Sequence, residues 1–218
     1  MKTQILSLLC CLFAWLLPVQ AQDSPDILKF SWKKVADRMP DEWYGSQQAR
    51  ASFDKGIGCI LKTQIRVDGK PTVWCAQHDE HTFVPAPARA YELASFSGAE
   101  SASIVALLMS IPDPSPEIVA AVKGAVAWFE AHAVKDIRVE RVPDGSPKGD
   151  ARVVSAPGNI LWARFYDLET GKPFFCGRDG VKHATLAEVE KERRGGYAWY
   201  TNAPQRVLDR YAKWISGI

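Results

Sequence analysis

The 218-residue sequence predicts a single, mainly α-helical domain with a few short strands. Three observations carry that expectation. Apolar residues recur at helical spacing in four separate stretches, each bounded by proline, glycine or a capping residue. The chain lacks the alternation of short apolar runs with helices that marks βαβ units, so packed helix pairs are favoured over a parallel sheet. Hydrophobic and charged fractions of 47% and 24% are those of an ordinary globular protein.

The first element is a leader. Lys2 supplies a positive start, Ile5 to Leu17 is an uncharged apolar run, Pro18 breaks it, and Val19-Gln20-Ala21 offers small residues where a signal peptidase reads. The run is too short for a comfortable bilayer span and no second one follows. Residues 1–21 are therefore expected to be a cleaved signal peptide, 22–218 the domain, and the product secreted to the periplasm or beyond. Cleavage takes Lys2 from the 27 basic side chains, leaving 26 against 25 acidic ones. That balance gives no electrostatic case for nucleic acid or for an anionic membrane as partner.

The next stretch, Gln48 to Gln64, places Phe53, Ile57, Ile60 and Leu61 on one helical face. Val67 to Pro71 is a turn, and Thr72-Val73-Trp74-Cys75 a short β-favouring run. Gly98 to Ile111 is a very apolar helix stopped by Pro112 and Pro114. Ser115-Pro116-Glu117 sets a cap, a first-turn proline and a first-turn acid in order, opening a helix to about His132. Asp136 to Pro157 and Gly171 to Val181 hold most turn residues and read as loops. Thr185 and Glu188 have capping-box spacing and open a charged helix ending near Arg194. A last helix runs from Pro204 to Ser216.

Candidate chemistry lies in five clusters. Trp74 to His81 contains His78 and His81, but its flanks favour strand or loop and no third ligand pattern follows, so solvated or hydrogen-bonded histidines are expected there. The others are Arg89 to Leu93, Trp162 to Tyr166, Gly177 to Gly180 around Arg178, and Glu192 to Tyr200. Arginines stand beside aromatics in the second, third and fifth clusters. A planar guanidinium holds a carboxylate in a bidentate fork, and flat aromatic faces suit sugar rings and cations, a combination that fits an acidic carbohydrate. The plainer reading puts Trp162, Phe165 and Tyr166 in the core and Arg193-Arg194 at a solvated helix end. Cys59, Cys75 and Cys176 of the domain are expected to serve mainly as small packing residues. No nucleophile elbow, phosphate loop or dinucleotide fingerprint is present, which removes those enzyme classes.

At these residues the chain resembles the pectate lyases of polysaccharide lyase family 10. The resemblance rests on long strings: Gly56 to Gln64, Thr72 to Thr82 (TVWCAQHDEHT), Pro87 to Ser101 (PARAYELASFSGAES), Ala125 to His132, Leu161 to Gly180 (LWARFYDLETGKPFFCGRDG) and Glu192 to Tyr200 (ERRGGYAWY). It implies antiparallel helix pairs arranged as an α/α toroid, and β-elimination of polygalacturonate assisted by calcium. It also implies that Arg89 removes the C5 proton, and that Arg164 and Arg178 hold substrate carboxylates. An unperturbed arginine is no base at neutral pH, so local charges favouring its neutral form and an alkaline optimum are expected.

The sequence also departs from the family. Asp41 to Ser46 resembles the start of the catalytic domain, whereas Arg50 to Lys55 already resembles its second half. The intervening Gly-Gly-Trp-Pro-Lys, Asp-Asn and Asn-Asp-Asp segments, which supply the calcium aspartates, have no counterpart, so the metal ligands are unassigned. An internal deletion is inferred, leaving a partial toroid that would expose apolar helix faces around Ile104, Val105, Leu107 and Leu108. The expected function is a pectate lyase of impaired activity, the alternative a non-catalytic uronate-binding remnant.

Overall fold

The computed structural model describes residues 47–218. The leader and the Asp41 to Ser46 segment lie outside the described residues. Helix α1 (Gln47–Thr63) buries Ile57 and Ile60 and packs half-buried Phe53 and Leu61 on the same face, as the spacing predicts. Its last turn is closed by Thr63, whose hydroxyl donates toward the Cys59 and Ile60 carbonyls, each at 3.0 Å. Strands β1 (Arg66–Val67) and β2 (Lys70–Pro71) form a hairpin across Asp68 (φ 51) and Gly69 (φ 75). Two successive positive φ angles are what a tight hairpin turn with matching twist requires.

The run Thr72 to Cys75 does not enter a ladder. Its backbone is held by isolated bonds: the Thr72 amide donates to the Ile65 carbonyl at 2.8 Å, the Val73 carbonyl accepts from Ile65 N at 3.0 Å, and the Trp74 amide donates to Ser101 Oγ at 3.0 Å, while the Trp74 indole donates to the Ile60 carbonyl at 2.7 Å. Strand β3 (Phe96–Ser97) leads straight into α2 (Gly98–Leu108), with Ser97 capping by accepting from the Glu100 amide at 3.2 Å. Helix α3 (Pro116–Ala131) begins as its sequence signals: Ser115 caps and Pro116 opens the first turn.

The largest difference from expectation follows. Residues read as loop form the longest strands of the described chain, β4 (Val134–Val142) and β5 (Asp150–Ala163), antiparallel from Val134 opposite Leu161 to Val142 opposite Asp150. The turn-forming residues gather at the tip, 143–149, and at one irregularity. There Asp136 takes φ 61, its carboxylate accepts the Gly158 amide at 2.8 Å, and Pro157 sits where no ladder hydrogen bond is needed. The β-branched residues between them, Ile137, Val139, Val142, Val153 and Val154, supply the strand.

Four further short strands complete the set: β6 (Phe165–Tyr166) on β3, β7 (Phe175–Cys176) with β8 (Lys182–His183), and β9 (Tyr200–Thr201) on the end of β5. The Thr185–Glu188 capping box forms around a single 3-10 turn (Leu186–Glu188), because Val189 and Glu190 are extended. Helix α4 (Lys191–Gly196) starts afresh, and α5 (Ala203–Ile215) closes the described chain.

The fold class is therefore mixed α and β with several small sheets, and the expectation of a mainly α, toroid-type arrangement of helix pairs is corrected. Turn residues clustered at a hairpin tip and a bulge mimic a continuous loop when only local sequence is read. None of the described helices is long and apolar enough to cross a membrane.

Two apolar cores result. The larger joins α1, α2, α3, α5 and the end of β5, with Val105, Leu108, Val122, Phe129 and Trp162 at 0% exposure. Ile104, Val105 and Leu108 lie inside it and Leu107 packs against it, so the expected exposed apolar face is filled by α3 and α5. The smaller core gathers Tyr91, Phe165, Phe174, Phe175, Cys176, Leu186, Val189 and Trp199. Cys75 and Cys176 are buried and all three described cysteines are free, in keeping with packing roles.

Gly124 shows how tightly α3 seats on β2. A Cβ there would stand 2.3 Å from the Pro71 carbonyl oxygen. Glycine to alanine ordinarily stabilises a helix interior by about 1 kcal/mol. Here Gly124→Ala should destabilise, by about 1–3 kcal/mol through overpacking, read as a lower urea midpoint. A raised midpoint would show that the contact yields.

Candidate carboxylate-binding site

The second, third and fifth sequence clusters meet at the rim of the smaller core. Arg89 sits on a tight turn closed by Glu92 N to Arg89 O at 2.8 Å and Ala88 N to Glu92 O at 2.9 Å. Arg164 joins β5 to β6 with its backbone fixed on both sides: its amide donates to Trp199 O at 2.8 Å and its carbonyl accepts from Gly98 N at 3.2 Å. Gly98 is obligatory, since a Cβ there would lie 2.4 Å from the Ala163 carbonyl oxygen. Tyr197 follows α4.

Aromatic rings gather these arginines. Tyr91 and Tyr197 meet edge to face with centroids 5.6 Å apart. The Arg89 guanidinium lies 4.8 Å from the Tyr91 centroid and that of Arg164 4.7 Å from Tyr197. Arg193 touches both rings, at 3.8 Å from Tyr91 and 4.7 Å from Tyr197. The aromatic faces thus serve arginines, a contact that is stronger away from water.

Carboxylates complete the arrangement. Glu92, its side chain only 6% exposed, receives both Arg89 Nε (2.7 Å) and Nη2, and also the Tyr197 hydroxyl at 2.9 Å. Burial pushes the Glu92 carboxyl up, but its bonds from Arg89 and Tyr197 outweigh burial and hold it below the usual range. The hydrogen bond to Glu92 drives the Arg89 proton affinity upward, so the pair favours the cation. Glu100 likewise receives Arg164 Nη2 and the Ser97 hydroxyl. Tyr197 is pushed well above the ordinary phenol value, chiefly by burial.

Arg178 stands apart. Its turn is closed by Gly180 N to Gly177 O at 3.2 Å and lies against Ala90, whose carbonyl is 3.8 Å from Cys176 Sγ. The Arg178 side chain, 62% exposed, forks onto Glu192 at 3.1 and 3.2 Å, and Lys148 reaches the same carboxylate at 2.9 Å. These bonds pull Glu192 down to about 2. Arg89 and Arg164 therefore share one aromatic pair, while Arg178 borders it from the neighbouring turn.

Sequence reading placed Arg193 and Arg194 at a solvated helix end, and this is corrected. Arg193 is 5% exposed, and Arg194 is bound to Asp150 at 2.7 Å through both Nε and Nη2. The signal available was Gly195-Gly196 followed by three aromatics in four residues: glycines let a helix press close. A Cβ on Gly195 would sit 2.2 Å from the Gly149 carbonyl oxygen at the hairpin tip.

The Asp150–Arg194 bridge ties hairpin to helix and makes a pH prediction. The hydrogen bond to Arg194 lowers Asp150 from 3.8 to about 2. A carboxyl depressed on folding contributes stability above its ordinary value that is lost as pH falls through the folded one. Thermal midpoints should therefore fall between about pH 4 and pH 2, and Asp150→Asn should lose part of that acid dependence. An unchanged acid slope in the variant would remove Asp150 from the account.

The first cluster carries no metal site. His78 is buried, its Nδ1 faces the Phe83 carbonyl at 2.9 Å, and its Nε2 accepts the Cys75 amide at 3.2 Å, so both ring nitrogens are engaged. His81 is exposed. Among the described residues no group of three or more His, Cys, Asp or Glu side chains is placed to hold a metal, and Glu92, Glu100 and Glu192 are committed to arginines. That donor set, among the described residues, does not fit calcium.

The family described as pectic acid lyase matches residues 27–208. No curated protein matches. Two solved structures of a family 10 polysaccharide lyase from Cellvibrio cellulosa are similar at 35% identity. One has a TM-score of 0.69 and is covered over 83% of this chain. The other, a substituted form in complex with trigalacturonic acid, has a TM-score of 0.68 and is covered over 82%. This chain spans 57% of the length of either relative, as an internal deletion would produce.

Proposed function

We propose, from the premise that this chain belongs to the pectic acid lyase family, that the arginine-lined rim binds the carboxylates of polygalacturonate and that Arg89 acts there in β-elimination. The observation that carries the reading is the convergence of Arg89 and Arg164 on one tyrosine pair, with Arg178 on the adjoining turn. Guanidinium forks at fixed positions suit a polymer with one carboxylate per sugar. In the reaction the C5 proton passes to a neutral Arg89, the C–H electron pair becomes the C4=C5 double bond, and the 4-linked oxygen leaves with its bonding pair and is protonated by solvent. Neutralising the uronate carboxylate by Arg164 and Arg178 would make that proton more acidic. Secretion fits the reading, since the substrate is a polymer too large to enter a cell.

A second reading, a uronate-binding protein without turnover, is favoured by one contact: Glu92 holds Arg89 as a cation, the opposite of what a base needs. Two measurements on the wild-type protein separate them. The ultraviolet absorbance of an unsaturated product is followed on polygalacturonate at alkaline pH, with and without added calcium, and trigalacturonic acid is titrated in a calorimeter. A rise in absorbance that Arg89→Ala abolishes supports elimination. Heat of binding without a rise leaves the binding reading, and neither signal overturns both.

The same titration tests Arg164. Charge-assisted hydrogen bonds contribute about 1.5–3 kcal/mol, so Arg164→Met should weaken binding roughly tenfold to a hundredfold. Unchanged affinity would exclude Arg164 from the ligand contacts.

A further inference from the structure

We infer that Arg193 is the positioning residue for both candidate ligand-binding arginines, acting through Tyr91 and Tyr197. Two nitrogens of its guanidinium, Nε and Nη2, are buried without a hydrogen-bond partner among the described residues. Burying a cation in that way is costly, and an apolar side chain of similar length would fill the space at no such cost. What an apolar residue cannot provide is a cation in contact with both rings at once. Arg193 lies within 3.8 Å of one ring and 4.7 Å of the other, and those two rings are the surfaces on which Arg89 and Arg164 stack.

The chain of contacts runs outward from there. Tyr197, held by Arg193, donates its hydroxyl to Glu92, and Glu92 grips Arg89. The same Tyr197 ring carries Arg164, whose own Nε is buried without a partner, so stacking and a single carboxylate, Glu100, fix its plane. Arg193 itself has little freedom to move. Its carbonyl accepts the Trp199 indole at 3.0 Å, its amide donates to Glu190 O at 3.0 Å, and the next residue is bridged to Asp150 in the hairpin. A rigid anchor, two rings and two arginines therefore form one connected unit.

That Arg193 matters for ligand binding rests on the function proposed above, whereas its hold on Arg89 and Arg164 does not. The two are separated by measuring solvent exchange of the arginine Nε–H groups by NMR in the ligand-free protein, alongside trigalacturonic acid affinity and the thermal midpoint. Arg193→Met keeps the stem and removes the charged plane; Arg193→Lys keeps the charge and loses the plane. In Arg193→Met the Nε–H exchange of both Arg89 and Arg164 should accelerate about tenfold or more as local opening becomes easier, with an intermediate effect in Arg193→Lys. Affinity should fall about tenfold while the thermal midpoint holds or rises, since a buried unpaired charge has gone.

Unchanged exchange in a folded variant overturns the positioning role, and so does loss of folding in both variants, which would make Arg193 a support of the fold. Accelerated exchange in a protein whose wild type binds no trigalacturonic acid keeps the positioning role and rejects the proposed ligand.

Discussion

Trp162→Ala should cost about 3–5 kcal/mol, a large share of the stability of an ordinary domain. Trp162 is 0% exposed near the end of β5, where the larger core meets the rim of the site. Its indole donates to the Phe129 carbonyl at 2.8 Å, tying β5 to the last turns of α3. Its Cβ stands 3.2 Å from where a Cβ on Gly98 would be, so the strand and the start of α2 are already in close contact. Truncation leaves a cavity that a backbone fixed on both flanks cannot close, and cavity cost adds to lost burial. The Phe129 carbonyl keeps a second partner, the His132 amide at 3.3 Å, so an orphaned acceptor adds little. Chemical denaturation should show the loss as a lower midpoint. A change below about 1 kcal/mol would mean that this junction repacks freely.

That residue also shows what the sequence made legible. Trp162, Phe165 and Tyr166 read as core and are core, at 0%, 1% and 1% exposure, because aromatics beside β-favouring residues have few other places to go. The helix starting at Ser115 is legible for a local reason: cap, proline and acid act within one turn. The hairpin of β4 and β5 was hidden because Pro143, Gly145, Pro147, Gly149, Pro157 and Gly158 dominate a local reading. Strand pairing is decided by residues far apart in sequence, and the ladder tolerates those residues only at its tip and its bulge.

The same contrast governs the site. Arg89, Arg164 and Arg178 stand out as candidates only through resemblance to a family, since any arginine beside an aromatic can equally be structural. Arg193 shows the limit in the other direction. Burial of a cation depends on three-dimensional neighbours such as Tyr91 from a distant turn, and a window along the chain sees a charged helix end.

Glu92→Gln should produce the second large effect, and in the direction of gain. Glu92 occupies the fork of Arg89 as an arriving uronate carboxylate would, through Nε and Nη2 together. A ligand must therefore displace an internal carboxylate before it can use that fork. The amide can still accept the Tyr197 hydroxyl, so the tyrosine pair keeps its anchor, but it offers Arg89 no charge. Arg89 is 60% exposed, so solvent screens much of the pair, and the competing bond is worth about 1 kcal/mol rather than the full value of a buried one. Trigalacturonic acid should then bind about fivefold to tenfold tighter to Glu92→Gln. The proton balance moves as well. Glu92 raises the Arg89 pKa, and a raised pKa means less neutral guanidine at any pH below it. Removing the carboxylate returns the pKa toward its ordinary value, and each unit regained multiplies the neutral fraction about tenfold. Arg89 should therefore react faster than in the wild type with an arginine-selective dicarbonyl reagent at mildly alkaline pH, and any elimination should show its rising limb at lower pH. Tighter binding with unchanged reactivity assigns Glu92 to ligand competition alone, and faster reaction with unchanged binding to proton affinity alone. If neither changes, Glu92 holds Arg89 for the fold and not for the ligand.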